Sequence, residues 1–419
     1  MTQSTKSQQI QTSNPARRRW LASGSASVAA AGLAGFQHNA MAQAAASAAT
    51  ASAAAKPLPP YVGWKDGSAL IVHSSGTIET RRSSFGTSVI TPAEHLYVRN
   101  NLPAPDAAIV ANRDAWELQI EGVKRPATLN LKQLKRLGLE TVTAVLQCSG
   151  NGRGLFPSKP SGTPWQIGAA GCVVWSGVPV RELIAALGGV ADGMVYLTGT
   201  GGERLPEGID PKSVMVERSV PIKALQEAIL AWEMNGAPLP LAHGGPLRLI
   251  IPGYTGVNNI KYIKRLAFTT EQTEANIQKH GYRISPPGQK GDPTHPSVWE
   301  MNVKSWINSP APEAGDVPVG DTLIKGVAFG GMHAVKSVEV SVDGGNTWKA
   351  ARFVGPDMGQ YAWRQFVFAV RLNAGSHNIA CRATDSQGQV QPEARVENSG
   401  GYNNNSWKDH ALQINVVAA

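Results

Sequence analysis

The sequence predicts an α+β domain followed by an Ig-like β-sandwich, on three observations. Short strand-like and helix-like stretches alternate without a fixed period between about residues 114 and 268. A segment dense in proline and glycine, residues 286–312, then interrupts them. Beyond it the apolar pattern turns to period two with hairpin turns. The 419 residues also exceed one ordinary domain, for which roughly 150 is usual.

Taking the elements in order, the first 42 residues carry Lys6, Arg17, Arg18 and Arg19 and no acidic residue. Arg17-Arg18-Arg19-Trp20-Leu21 precedes a small-residue apolar stretch, residues 22–36, and Ala40-Met41-Ala42 fits a small-x-small cleavage site. This is the pattern of a twin-arginine export signal, with Trp20 where Phe is usual. The stretch is too short and too weakly apolar to span about 30 Å of hydrocarbon. The expectation is a periplasmic protein, exported folded after a cofactor is inserted, with residues 1–42 removed. Residues 43–56, almost wholly Ala, Ser and Thr, read as a flexible linker.

The first domain is expected over residues 57–295. Helices are expected over 178–187 and 221–234, with Pro179 and Pro221 suited to first turns and Gly188 and Gly236 just past the ends. The apolar runs at 141–146 and 247–252 read as buried strands that empty into Gly-bearing loops. The second domain is expected over 296–419. There Val338, Val340 and Val342 alternate with polar residues, Asp343-Gly344-Gly345-Asn346 supplies a hairpin turn, and Phe366, Phe368 and Val370 alternate again. Turns at Asn373-Ala374-Gly375 and Asp385-Ser386-Gln387-Gly388 space these strands as in a small sandwich. The stretch from Ser341 to Trp348 matches the Asp-box hairpin of sialidases. A propeller carries that hairpin repeatedly, and here it occurs once.

Several classes are excluded. No run after the leader has the length and apolarity of a transmembrane helix. The only cysteines are Cys148, Cys172 and Cys381, outside any CxxC or CxxCH motif, so neither a zinc ribbon nor a covalently attached haem is encoded, and an odd, sparse set argues against a disulfide framework. HExxH, Walker A and GxSxG motifs are absent. The formal charge of +9 includes no run of Lys and Arg interleaved with aromatics beyond the leader, so no nucleic-acid role is expected.

The most informative segment is Leu146-Gln147-Cys148-Ser149-Gly150-Asn151-Gly152-Arg153-Gly154. A strand delivers a thiol to the mouth of a loop with three glycines in five residues, whose backbone can approach a bulky group closely. Arg153 can hold an anion there. The glycines do not form a dinucleotide fingerprint, since GxGxxG counted from Gly150 lands on Leu155. Taken alone, the segment also suits a buried cysteine before an ordinary Gly-rich turn.

Around it the chain resembles the sulfite oxidase family of molybdenum-cofactor enzymes. The family's Cys-Ala-Gly-Asn-Arg-Arg loop reads Cys-Ser-Gly-Asn-Gly-Arg here, keeping Cys148, Gly150, Asn151 and Arg153. Upstream, Tyr97-Val98-Arg99-Asn100-Asn101-Leu102-Pro103 looks like Phe-x-Arg-Asn-His-x-Pro, with Asn101 for the histidine. Downstream, Trp165-Gln166-Ile167-Gly168-Ala169 is similar to Trp-x-x-Gly-Ala. Asn235-Gly236, His243-Gly244-Gly245-Pro246-Leu247-Arg248 and Pro252-Gly253-Tyr254-Thr255-Gly256 with Lys261 follow in the family's order. The likeness covers about residues 57–419, and the sandwich fits the family's dimerisation domain.

The resemblance implies molybdenum held by a pyranopterin, with Cys148 as the thiolate ligand of the metal. A soft thiolate suits a high-valent metal that also carries a dithiolene. Asn100, Asn101, Asn151, His243, Arg248 and Lys261 are then expected to hold the pterin and its phosphate. Arg99, Arg153, Trp165 and Tyr282 are expected to line a cationic substrate pocket with one aromatic wall, oxidising sulfur by oxo transfer. No haem is expected on this chain, so a c-type cytochrome partner should take the electrons.

The departures narrow the substrate. Asn101 replaces the family's histidine, Gly152 replaces the first arginine of the pair, and Asn258 stands where arginine is usual. With the closing Gly401-Tyr402-Asn403-Asn404-Asn405-Ser406-Trp407 segment, these choices are similar to the sulfane dehydrogenase branch of thiosulfate oxidation. That branch implies a sulfane sulfur carried on a partner protein, a dihaem cytochrome c subunit as acceptor, and a dimer or heterotetramer. A dehydrogenase of free sulfite is the alternative. A non-enzymatic periplasmic binding module is a further one, which elemental analysis for molybdenum separates.

Overall fold

The two apolar runs at 141–146 and 247–252 do become strands, Glu140–Gln147 and Arg248–Ile250, and both belong to one five-stranded sheet. The structure is a computed structural model that describes residues 56–103 and 105–418. The expected leader, and all of the expected linker except Lys56, lie outside the described residues. No helix among the described residues is long and apolar enough to cross a membrane.

The first sheet packs Glu140–Gln147 against Ala170–Pro179, which in turn pairs with Ile229–Met234. This corrects the helix expected over 221–234. Residues Ile222–Gln226 form a short 3-10 turn, and Ile229–Met234 is a strand. That strand has neighbours along both edges, Ala170–Pro179 on one side and Ala237–Pro238 and Arg248–Ile250 on the other. A strand buried on both faces reads as a continuous apolar run, which periodicity alone does not separate from a buried helix. The helix expected from residue 178 forms as Val180–Ala186, after Pro179 closes the preceding strand.

A second five-stranded sheet runs Ala127–Asn130, Glu117–Glu121, Ile263–Thr269, Tyr196–Gly201 and Glu217–Pro221. Its apolar face, with Leu118, Ile120, Leu197 and Leu266, closes the larger core of this α+β domain. A three-stranded ribbon, Leu70–Ser74, Thr77–Thr80 and Val98–Arg99, lies to the N-terminal side.

From Lys304–Ser309 onward the chain is a β-sandwich, as its period-two pattern predicts. One sheet runs Lys304–Ser309, Gly320–Phe329, Arg364–Leu372, Arg352–Val354. The other carries Leu412–Val417, Gly375–Asp385 and Val335–Ser341 in its middle. Val338, Val340, Phe366, Ile379 and Ile414 fill the space between. In the hairpin after Val342, the Asp343 carboxylate accepts from Thr347 N–H at 2.9 Å and from Thr347 Oγ1 at 2.6 Å, and Trp348 packs edge-on to Trp407.

The sandwich and the α+β domain share a buried cluster. Trp306 and Trp363 from the sandwich pack with Phe85, and Trp363 Nε1 donates to the Val89 carbonyl at 2.6 Å. The sandwich therefore presses directly on the strands that carry Cys148.

Candidate active site

Cys148 is the first residue past the ladder between Glu140–Gln147 and Ala170–Pro179, and its N–H donates to the Ala169 carbonyl at 2.9 Å. Two tight turns follow, closed by Asn151 N–H to Cys148 O and Arg153 N–H to Gly150 O, each 2.9 Å. Gly154 N–H then donates to the Trp165 carbonyl at 2.8 Å, and Ser149 Oγ donates to Thr255 Oγ1 at 3.0 Å. The thiol is thus held by a sheet and by a loop of two tight turns that these last two bonds pin to its surroundings.

The loop glycines make room for the chain's own groups, where the sequence suggests approach to a ligand. A Cβ on Gly150 would fall 2.5 Å from the Arg153 guanidinium, and one on Gly154 would fall 2.6 Å from the Pro164 carbonyl oxygen. Gly152, at φ 93°, adopts a backbone form that side chains resist.

Cys148 lines a cavity whose walls bring together several of the expected residues. Each wall comes from a different element. The Val98–Arg99 strand and the turn after it supply Arg99, Asn100 and Asn101. The 3-10 turn Leu241–His243 supplies His243, and the strand it leads into supplies Arg248. Lys261 and Tyr282 complete the predicted members.

Three of the predicted residues stand elsewhere. Asn151 lies under the cysteine loop, where its amide donates to Gln147 Oε1 at 3.0 Å and its Oδ1 accepts from Ala169 N–H at 3.1 Å. Arg153 donates from Nε to the Gly400 carbonyl at 2.8 Å and from Nη1 to Thr163 O at 3.1 Å, with its guanidinium over the Tyr402 ring. Trp165 is fully buried behind the thiol, edge-on to Tyr97 at 6.3 Å.

The structure adds residues that the sequence reading did not select. Tyr97 and Glu203 line the cavity. Glu203 follows Gly201-Gly202 at the end of the strand Tyr196–Gly201, and a glycine pair at a strand end was the one available signal. Burial raises its carboxyl to about 7, opposed by nearby Lys261.

The electrostatics are those of an anion site. Lys261 Nζ donates to Asn100 Oδ1 at 2.7 Å and the Ala242 carbonyl at 2.6 Å. Arg248 donates to the carbonyls of His243 at 2.8 Å and Asn259 at 3.2 Å and lies over the Trp175 ring. These partners are uncharged oxygens. Burial pulls Lys261 well below the ordinary lysine range, with Arg248 adding repulsion, and pulls Arg248 to about 10. His243 is also held far below its usual value by burial, and its buried Nε2 has no partner within the protein. Gly244 lets Lys261 lie against this turn, since a Cβ there would be 2.9 Å from the Lys261 side chain.

An orphaned ring nitrogen, a buried arginine and a half-buried lysine bonded to uncharged oxygens, and a thiol on the same cavity fit a phosphate-bearing pterin whose metal Cys148 would hold.

Fold and site together define a molybdopterin-dependent oxidoreductase. Residues 103–277 match the model of the oxidoreductase molybdopterin binding domain, and residues 295–416 match that of the Mo-co oxidoreductase dimerisation domain. The chain is 34% identical over 340 residues to sulfite oxidase of Gallus gallus, covering 76% of this chain and 72% of that protein. To the mitochondrial sulfite oxidase of Rattus norvegicus it is 31% identical over 352 residues, covering 79% of this chain and 62% of that protein. Its structure is similar to the crystal structure of the sulfane dehydrogenase SoxCD from Paracoccus pantotrophus, with a TM-score of 0.69 and 26% identity over 83% of this chain and 89% of that one. The chain belongs to the sulfite oxidase family.

Proposed function

We propose that this chain is the molybdenum subunit of a sulfane dehydrogenase, exported folded to the periplasm, that oxidises sulfur borne on a carrier protein and passes electrons to a dihaem c-type cytochrome. The observation that carries this reading is how the arginines are engaged. A free oxyanion such as sulfite is best held by forked guanidinium donors. Arg99 donates to the Asn100 carbonyl and to Asn101 Oδ1, while Arg153 donates to two backbone carbonyls. Asn258 takes the place of a third arginine and accepts from buried Arg218 Nε at 3.2 Å. Donors already engaged within the protein favour a substrate that arrives tethered over one that must be clamped.

When bound, the cofactor would supply the oxygen-atom transfer and take up the two electrons. The residues of the chain have the remaining tasks. Cys148 would hold the metal. Lys261, Arg248 and His243, on the same cavity, would hold the pterin and its phosphate, and an anion beside Lys261 would offset the burial that otherwise disfavours its charge. Tyr282, on the wall of the same cavity, orients the substrate and exchanges a proton through its hydroxyl.

The test offers the purified holoprotein and its cytochrome either carrier-bound sulfane or free sulfite. Turnover is expected with the carrier. Brisk sulfite oxidation without a carrier would overturn the substrate assignment and support a sulfite dehydrogenase.

A further inference from the structure

Tyr282 has a backbone φ of 50°, in the left-handed region that a ring-bearing residue rarely adopts. Such a conformation persists only where its surroundings over-determine it. Its ring is stacked on Tyr402, with centroids 5.1 Å apart and planes 21° from parallel. The Arg218 guanidinium lies over Tyr282 at 5.6 Å, and that of Arg153 lies over Tyr402 at 5.3 Å. Arg218, Tyr282, Tyr402 and Arg153 form a continuous series of cation–π and aromatic contacts. Both arginines donate to uncharged oxygens, so their charge remains available to the rings.

Tyr402 comes from the sandwich, more than 100 residues after Tyr282, on a segment that is itself fastened. Its N–H donates to Asn398 Oδ1 at 2.9 Å, and the next residue, Asn403, donates its N–H to the Ser149 carbonyl in the cysteine loop at 2.9 Å. Asn404 Nδ2 donates to the Gly152 carbonyl at 3.1 Å. Two glycines precede the ring for a steric reason. A Cβ on Gly400 would fall 2.1 Å from the Tyr402 ring, and one on Gly401 would fall 2.7 Å from the Arg153 side chain.

We propose that Tyr402 is a positioning residue, delivered by the sandwich domain, whose stacking sets the place of the Tyr282 ring on the wall of the Cys148 cavity. Tyr402 does not itself line that cavity, so it acts through Tyr282. The inference rests on the reading of Tyr282 as the group that orients the sulfur substrate. It gives the sandwich a part in turnover as well as in assembly.

The test compares Tyr402→Phe, Tyr402→Leu, Tyr282→Leu and the double leucine variant as full-length, molybdenum-loaded proteins. Tyr402→Phe keeps the stacked ring and should keep kcat/KM within about twofold of the parent. Tyr402→Leu should lower kcat/KM on the order of tenfold to a hundredfold at unchanged molybdenum content, as misplacements of about an ångström do. Adding Tyr402→Leu to Tyr282→Leu should cost little more. A second readout needs no substrate: the near-ultraviolet circular dichroism contributed by Tyr282, taken as the difference on replacing it, should collapse when Tyr402 is leucine. If neither sulfur substrate turns over, the proposed function fails, and the dichroism still decides the positioning. Equal losses in Tyr402→Phe and Tyr402→Leu, additive losses in the double variant, or a Tyr282 signal indifferent to Tyr402 would each overturn it.

Discussion

Replacing Lys304 by methionine should make the protein more stable near neutral pH and less stable in alkali. Lys304 is 1% exposed, and its ammonium donates to the Asn151 carbonyl of the cysteine loop at 3.2 Å. Burial pulls its pKa from 10.5 to about 7, against a smaller opposing pull from Asp409. The unfolded chain holds this proton up to about pH 10.5, whereas the folded chain releases it near 7. Between those values the unfolded state binds more protons, so stability rises with pH by about 1.4 kcal/mol per unit. The penalty is complete below about pH 7, where it reaches about 5 kcal/mol, and vanishes above about 10.5.

Lys304→Met removes that penalty and leaves the Asn151 carbonyl without its donor, a loss of about 1–3 kcal/mol. The variant should be more stable than its parent by about 2–4 kcal/mol near pH 6, and slightly less stable near pH 10. Equilibrium urea denaturation at the two pH values reads the difference directly. A difference of the same sign and size at both would refute the reasoning, because no buried proton equilibrium would then separate the proteins. Turnover should fall in the variant even where stability rises, since the carbonyl that Lys304 holds belongs to the loop that carries Cys148.

Three other substitutions probe the same frame. Cys148→Ser changes one atom at a buried site, so the fold should survive while turnover drops by roughly a thousandfold or more with loss of the thiolate ligand; a variant that retains activity argues against ligation by Cys148. Gly168→Ala would place a Cβ 1.8 Å from the Thr80 carbonyl oxygen and disturb a residue whose N–H donates to Glu79 at 2.9 Å, and a lowered thermal midpoint equivalent to about 3 kcal/mol is expected. His410 is held neutral by burial, with its pKa well below 6.5 and Nε2 unpartnered. The unfolded state therefore takes up a proton that the folded state refuses, and stability should fall as pH drops below about 6.5. His410→Gln should flatten that fall by about 1.4 kcal/mol per pH unit, leaving a share that belongs to His243; an unchanged slope would show that His410 does not contribute.

Much of the fold and part of the site were legible because they depend on local chemistry. The strand leading to Cys148, the alternation of Val338 and Val340 and the hairpin turn at Asp343 each follow from residues within one short window. The strand Ile229–Met234 was misread as helix because its character is set by neighbours on both edges. Its own sequence, Ile-Leu-Ala-Trp-Glu-Met, serves either state. The motifs also put Arg99, Asn100, Asn101, His243, Arg248 and Lys261 around one cavity with Cys148, since the type and order of these residues carry the family's chemistry.

Which way a side chain turns was not legible. Arg153 sits five residues from Cys148 in sequence, yet it turns to the Gly400 carbonyl, a partner 247 residues away. Lys304 and His410 are unremarkable in the sequence and become buried, charge-sensitive groups only because the sandwich packs beneath the cysteine loop. Sequence alone determined the family resemblance, the thiol at the end of a strand and the cations available to a cofactor. Tertiary structure decided which cations are already engaged, which carboxyl shares their cavity, and that a tyrosine from the second domain stacks on Tyr282. The reason is physical: a residue's chemistry is carried in its covalent structure, whereas its charge state and direction are set by the low-dielectric surroundings and hydrogen-bond partners that only folding assembles.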